Sequence, residues 1–249
     1  MNCPNCQTSL ESDAKFCTSC GVKIDHIQTE NSNTEPVQST GTTAKQTPDY
    51  VQQGKEISKQ YWNFIPSALA NPFAASKHAG PANKINAMIT LILFSLLIPL
   101  FSYISLSSYF RPPFVEMVVQ PFFIFVIFFA LLLAVKYGVA KLMKADVSFI
   151  NVMTRFGIVM VLPTTTALVA VLFAILGIDD FSIILLIVSM GLASIASLAT
   201  IFSIKEKAPV TGGLDVFYGV VLTYVAMTII LLIIGDSILY QLENSFYGF

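Results

Sequence analysis

The chain has 249 residues, of which 55% are hydrophobic and only 12% charged, with a formal net charge of −1. Soluble domains carry about 25% charged residues, so this composition excludes an ordinary water-soluble globule, and the balanced charge gives no global pull toward nucleic acid. Mean hydropathy is +0.71, yet the apolar residues concentrate after residue 85 and leave a polar N-terminal extension. The class this predicts is an all-α polytopic membrane protein.

The first element is a metal knuckle over residues 1–24. All four cysteines lie here, as Cys3/Cys6 and Cys17/Cys20, two CxxC pairs separated by a short stretch. Each CxxC can curl so that two thiolates face one ion. Four thiolates complete a tetrahedral, closed zinc site with no open position for catalysis. A unit this small has almost no core, so the structural zinc must supply most of its folding free energy. The competing reading is a redox dithiol or disulfide pair, which a lone CxxC would leave open. Lys15 and Lys23 are offset by Glu11, Asp13 and Asp25, so the ribbon lacks the basic face that nucleic acid needs. A protein partner fits it better. The leading residues lack the basic-then-apolar pattern of a secretory signal, which predicts a ribbon that stays in the cytoplasm.

Residues 25–54 are rich in Thr, Gln, Asn, Ser and Pro, without apolar periodicity, and are predicted to be a disordered linker. His26 is a stray ligand type beside a site already complete. The following segment, 55–84, places Ile57, Tyr61, Phe64, Ile65 and Leu69 near helical spacing, with Tyr61 and the single Trp62 suited to a membrane–water boundary. It is predicted to be an amphipathic juxtamembrane segment, interrupted or bent at Pro66. It either lies on the bilayer or packs on the bundle, and the two readings are compatible.

The membrane domain, 85–249, contains five predicted transmembrane helices, near 86–107, 118–140, 156–177, 182–203 and 214–235. Each is about 20 residues, the length that crosses a bilayer. Lys77, Lys84, Lys141, Lys144, Arg155, Lys205 and Lys207 all fall on one side if there are five spans, with Lys136 near a helix end. The positive-inside rule then puts the N-terminus and the ribbon in the cytoplasm and the C-terminus outside, in the cell membrane. Lys136 is expected to snorkel to that nearby interface.

Few residues within the spans suggest chemistry. Pro163, followed by Thr164, Thr165 and Thr166, is either a hinge at a substrate site or a tolerated kink whose freed backbone groups the threonines satisfy. Ser189, Ala193 and Ser197 recur at four-residue spacing and form a packing face, inside the bundle or between protomers of a homo-oligomer. Both histidines precede the first span, and no nucleophile–base set, HExxH, GxSxG or phosphate loop occurs, which argues against an enzyme.

The stretch "CPNCQTSLESDAKFCTSCG" resembles the short N-terminal zinc ribbons of membrane proteins in Bacillus-type bacteria. The stretches "FIPSALANPFAA", with its Asn71-Pro72-Phe73 step, and "KLMKADVSFINVMTRFGIVMVLP", with a Ser-Phe step leading to Pro163, resemble the Yip family (Ypt-interacting-protein-like integral membrane proteins) in its bacterial branch. The resemblance covers about residues 60–240 and implies five spans with a cytoplasmic N-terminus. It also implies a non-enzymatic role in membrane organisation or regulation. The expectation is therefore a membrane adaptor or regulatory protein with a zinc-ribbon contact module, the alternative being a small-molecule or ion transporter or channel.

Overall fold

The computed structural model describes residues 49–80, 83–107, 113–209 and 212–247, with side chains placed from Gly54 to Gly235. The expected zinc ribbon, with Cys3, Cys6, Cys17 and Cys20, and nearly all of the expected linker lie outside the described residues. Among those described, every regular element is helical.

Helix α1 (Asp49–Ala70) opens the described chain and begins inside the stretch expected as linker. It runs through Pro66 without interruption and stops at Asn71, where Pro72 takes the first position of α2 (Pro72–Lys77). The proline ring forbids a helical continuation from the preceding residue but suits a helix start, so the break falls at Asn71-Pro72 rather than at Pro66. The apolar face of α1 is docked: Phe64 and Ala68 are buried against Ile158 and Val161. Trp62 on another face is 66% exposed. The packed reading of this segment therefore describes its buried face.

Among the described residues, four helices are long and apolar enough to cross a membrane: α3 (Lys84–Ser107), the run Val115–Leu142, α7 (Asp179–Lys205), and Val216–Gly235 within α8 (Val216–Tyr247). A fifth crossing follows if α5 (Phe149–Val159) and α6 (Val161–Ile175), bent by 45°, count as one span. This is a multi-pass helical membrane protein. Its apolar core is formed where α3, α4 (Gln120–Leu142), α5, α6 and α7 meet, with Phe94, Phe129, Leu132 and Phe156 among the buried side chains. Helix α8 packs mainly on α4, and much of its surface, including Leu232 and Ile233, is exposed as lipid-facing helices are.

Local sequence explains the interruptions. The second crossing starts with a π-helical turn, Val115–Val119, immediately before Pro121. Pro121 has no N–H for the ordinary ladder, and the Gln120 N–H reaches back five residues to the Val115 carbonyl. Ser148 caps α5, its hydroxyl accepting from the Asn151 N–H at 3.2 Å, so the Ser-Phe step is a helix start. The bend between α5 and α6 falls at Met160, three residues before Pro163. That is the expected displacement, because a proline disturbs the carbonyl of the residue four before it, here Val159. Helix α6 ends on Gly177 at φ +73°, with the Ile178 N–H donating to the Phe173 carbonyl and the Gly177 N–H to Ala174, the paired bonds of a glycine-terminated helix.

Candidate functional site

The polar side chains of this bundle are sparse, and their placement follows from which face of each helix looks inward. The connections 77–80 and 143–148 and the flanks 206–209 and 212–214 of a third converge at one end. The Asp146 N–H donates to the Lys207 carbonyl at 3.1 Å and the Leu214 N–H to Leu142 at 3.0 Å. Lys77, Lys144, Arg155, Lys205 and Lys207 therefore gather at a single basic end, as the five-span count requires.

Arg155 organises that end. Its neighbours Val152, Phe156 and Val159 form the buried face of α5, which carries Arg155 inward until it is 3% exposed. Nη1 donates to the Ser203 carbonyl at 2.6 Å and Nη2 to the Lys77 carbonyl at 3.2 Å. Both acceptors lie in the last turns of their helices, α7 and α2, where carbonyls lack intrahelical partners and the helix dipole favours a cation. Lys77 also pairs with Glu206, the residue closing α7, and its ammonium sits 4.6 Å from the Phe73 ring centroid. The guanidinium thus fastens α2 and α7 onto α5. Over this node lies an open basin of about 800 Å³, lined by Lys77, His78, Asp146, Asn151, Arg155, Glu206 and Lys207 among others.

Deeper along the bundle is a second cation. Lys136 is fully buried, and its ammonium donates to the Ser197 hydroxyl at 2.7 Å and the Ser197 carbonyl at 2.9 Å. The Phe156 ring centroid lies 4.8 Å away. Lys136 does not snorkel, contrary to the sequence expectation. Lys141, five residues on, takes the interfacial position, reaching the Val147 carbonyl at 3.3 Å across the Tyr137 ring. Five residues turn a helix by about 500°, so the two lysines face different ways, and only one can follow the surface. The face of Lys136 points at α7, where a serine leaves room for the ammonium.

The same serine resolves the small-residue face. Ser189 and Ser197 are buried, Ala193 packs against the core, and the Ser189 hydroxyl donates to the Pro163 carbonyl at 2.8 Å. The face is a seam inside the bundle, joining α7 to α6 and α4. The threonines after Pro163 act locally: Thr164 donates to the Met160 carbonyl at 2.6 Å, and Thr165 and Thr166 donate to Leu162. Neither they nor Pro163 line the basin. At the α7–α8 contact, Tyr224 and Ser194 share a hydroxyl–hydroxyl bond of 2.7 Å.

A third polar feature lies where α1 meets α3. The Tyr61 hydroxyl pairs with the Thr90 hydroxyl at 3.2 Å. Burial raises the Tyr61 phenol above its ordinary pKa, and the bond to Thr90 offsets this in part. Beside it lies a cavity of about 370 Å³ bounded by α1, the end of α2 and the start of α3.

Charge pattern alone places Arg155 with the basic residues of one side, but its position among Val152, Phe156 and Val159 puts it on the apolar stripe of a helix. Lys136 lies five residues before Lys141, which marks the helix end.

No protein-family model matches the chain, and no solved structure matches it. A protein of Bacillus subtilis (strain 168), described as uncharacterized protein YvbI, is 28% identical over 232 residues, covering 92% of each chain.

Proposed function

We propose that this chain is a non-enzymatic membrane adaptor or regulatory protein of Yip-like architecture. Its residues 1–24 bind one structural zinc through Cys3, Cys6, Cys17 and Cys20 and recruit a protein partner at the cytoplasmic face of the cell membrane. The observation that supports this reading best is the distribution of polarity in the bundle. Most hydroxyls within the spans turn back on their own helices, as Thr90 does to Asn86, Ser95 to Leu91, Thr200 to Ala196 and Thr223 to Gly219, and others bond across the packed bundle, as Ser189 does to Pro163. Such bonds satisfy a side chain without offering it to a solute. Open, charged surface is concentrated at the basic end, which the positive-inside rule assigns to the cytoplasm.

The test compares the intact protein with Cys17→Ser/Cys20→Ser, both purified from native membranes. The intact form is expected to carry one zinc per chain and to retain a partner that the double variant loses. Identical partners in both forms, or a metal-free intact protein, would refute the reading.

The buried ammonium of Lys136 favours one second reading, a transporter or channel, because an ionisable group within a span marks a solute path by default. It requires that Lys136→Met or Pro163→Ala abolish flux in proteoliposomes while the bundle stays folded.

A further inference from the structure

We propose that the cavity between α1, α2 and the start of α3 is a binding site for an uncharged polyhydroxyl group, a sugar carried as a lipid headgroup or free in solution. Its wall is built from Gln60, Asn63 and Ser67, which fall on one face of α1 at spacings of three and four residues. Asn83 and Asn86, at the beginning of α3, face them, and His78 closes the side. Phe64 and Ile158, both buried, supply apolar surface beneath. Among the described residues no carboxylate, lysine or arginine lines this cavity, whereas the neighbouring basin carries both signs of charge. An anion or cation entering it would lose hydration without gaining a counter-charge.

One residue singles the cavity out as a site rather than a gap. Asn86 is 1% exposed, and its Oδ1 has no hydrogen-bond partner among the described residues. An orphaned buried carbonyl costs about 1–3 kcal/mol. The backbone here cannot drift to relieve it, because the adjacent Ala87 is pressed against Gly157 so closely that a Cβ on Gly157 would fall 2.5 Å from the Ala87 Cβ. Oδ1 is itself sealed from solvent, so a ligand hydroxyl would supply the missing bond once the Asn86 carboxamide turns toward the cavity it lines.

The chemistry of the wall selects the ligand. A carboxamide offers an acceptor and two donors side by side, and adjacent hydroxyls on a sugar ring offer the same complement in return. Four carboxamides around an apolar floor match a ring with hydroxyls at its edge and C–H groups on its face. The volume of about 370 Å³ lies in the range of small-molecule sites. The location fits a headgroup, since α3 is a membrane-crossing helix and the cavity sits at its first turn, with Trp62 exposed nearby at the level where indoles anchor.

The test uses the full chain in phosphatidylcholine nanodiscs, with monoglucosyl diacylglycerol or phosphatidylserine added in separate series, and methyl β-glucoside as a soluble probe in detergent. Saturable binding of the glycolipid is expected, weakened about tenfold or more in Asn86→Leu and in Gln60→Ala/Asn63→Ala. The second variant changes only exposed side chains and keeps the test valid if the first misfolds. Binding of methyl β-glucoside as well would identify a free sugar as sufficient. Binding of the glycolipid alone would make the headgroup with its acyl chains the ligand. Absence of saturable binding by either probe, equal binding of phosphatidylserine, or undiminished binding by the rim variant would overturn the proposal.

Discussion

The ammonium of Lys136 is held by two hydrogen bonds to Ser197, at 2.7 and 2.9 Å, and by the Phe156 ring, with no carboxylate of the described residues among its contacts. This arrangement predicts an asymmetric double-mutant cycle. Ser197→Ala removes a hydrogen bond to a charged donor that cannot reach water, a loss of about 1.5–3 kcal/mol. Lys136→Met replaces the ammonium by an apolar chain of similar length and discards the desolvated charge. The freed Ser197 hydroxyl can return to its own helix, as Thr200 does, so this change should cost less than about 1 kcal/mol. Ser197→Ala made in the Lys136→Met background should then cost about 0.5 kcal/mol or less, giving a coupling of about 1–3 kcal/mol. Reversible unfolding of the four proteins in mixed micelles, followed by far-ultraviolet circular dichroism, measures each corner. Equal cost of Ser197→Ala in both backgrounds would refute the assigned contact. A loss above about 3 kcal/mol for Lys136→Met alone would show that the ammonium has a role the described partners do not account for.

Four further outcomes follow from the packing. Gly157→Ala places a methyl group 2.5 Å from the Ala87 Cβ and 2.8 Å from its carbonyl oxygen, so α3 and α5 must separate, at about 1–3 kcal/mol by the same unfolding assay. Gly138→Ala, whose Cβ meets nothing within 4 Å, should be neutral or mildly stabilising. Arg155→Lys keeps the charge but cannot span the Ser203 and Lys77 carbonyls together, so amide hydrogen exchange should accelerate in residues 72–80 while the core of α4 is unchanged. Lys144 follows α4 at φ 55°, with its N–H donating to Lys141 and the next N–H to Ala140, so Lys144→Gly should stabilise the bundle by about 1 kcal/mol. A destabilised glycine variant would mean the Lys144 side chain contributes more than the backbone strain costs.

The sequence by itself determined the membrane class, the location of the apolar crossings and the gathering of basic residues at one end. These are one-dimensional properties: the length of an apolar run sets whether it crosses, and alternation of crossings sets which connections share a side. It also marked Pro163 as an irregularity, though the bend falls at Met160 because a proline disturbs the turn before it. The sequence left two readings of the Ser189–Ser197 face, and only the packed bundle chose between them. Tertiary structure alone decided that Lys136 and Arg155 are interior. Hydropathy averages over a helix, whereas burial depends on how the helix is rotated about its axis. That rotation is fixed by neighbours distant in the chain: a serine on α7 for Lys136, and the carbonyl ends of α2 and α7 for Arg155. The carboxamides of the α1–α3 cavity were invisible for the same reason, since Gln60, Asn63, Asn83 and Asn86 become a site only when α1 folds back onto the first turn of α3.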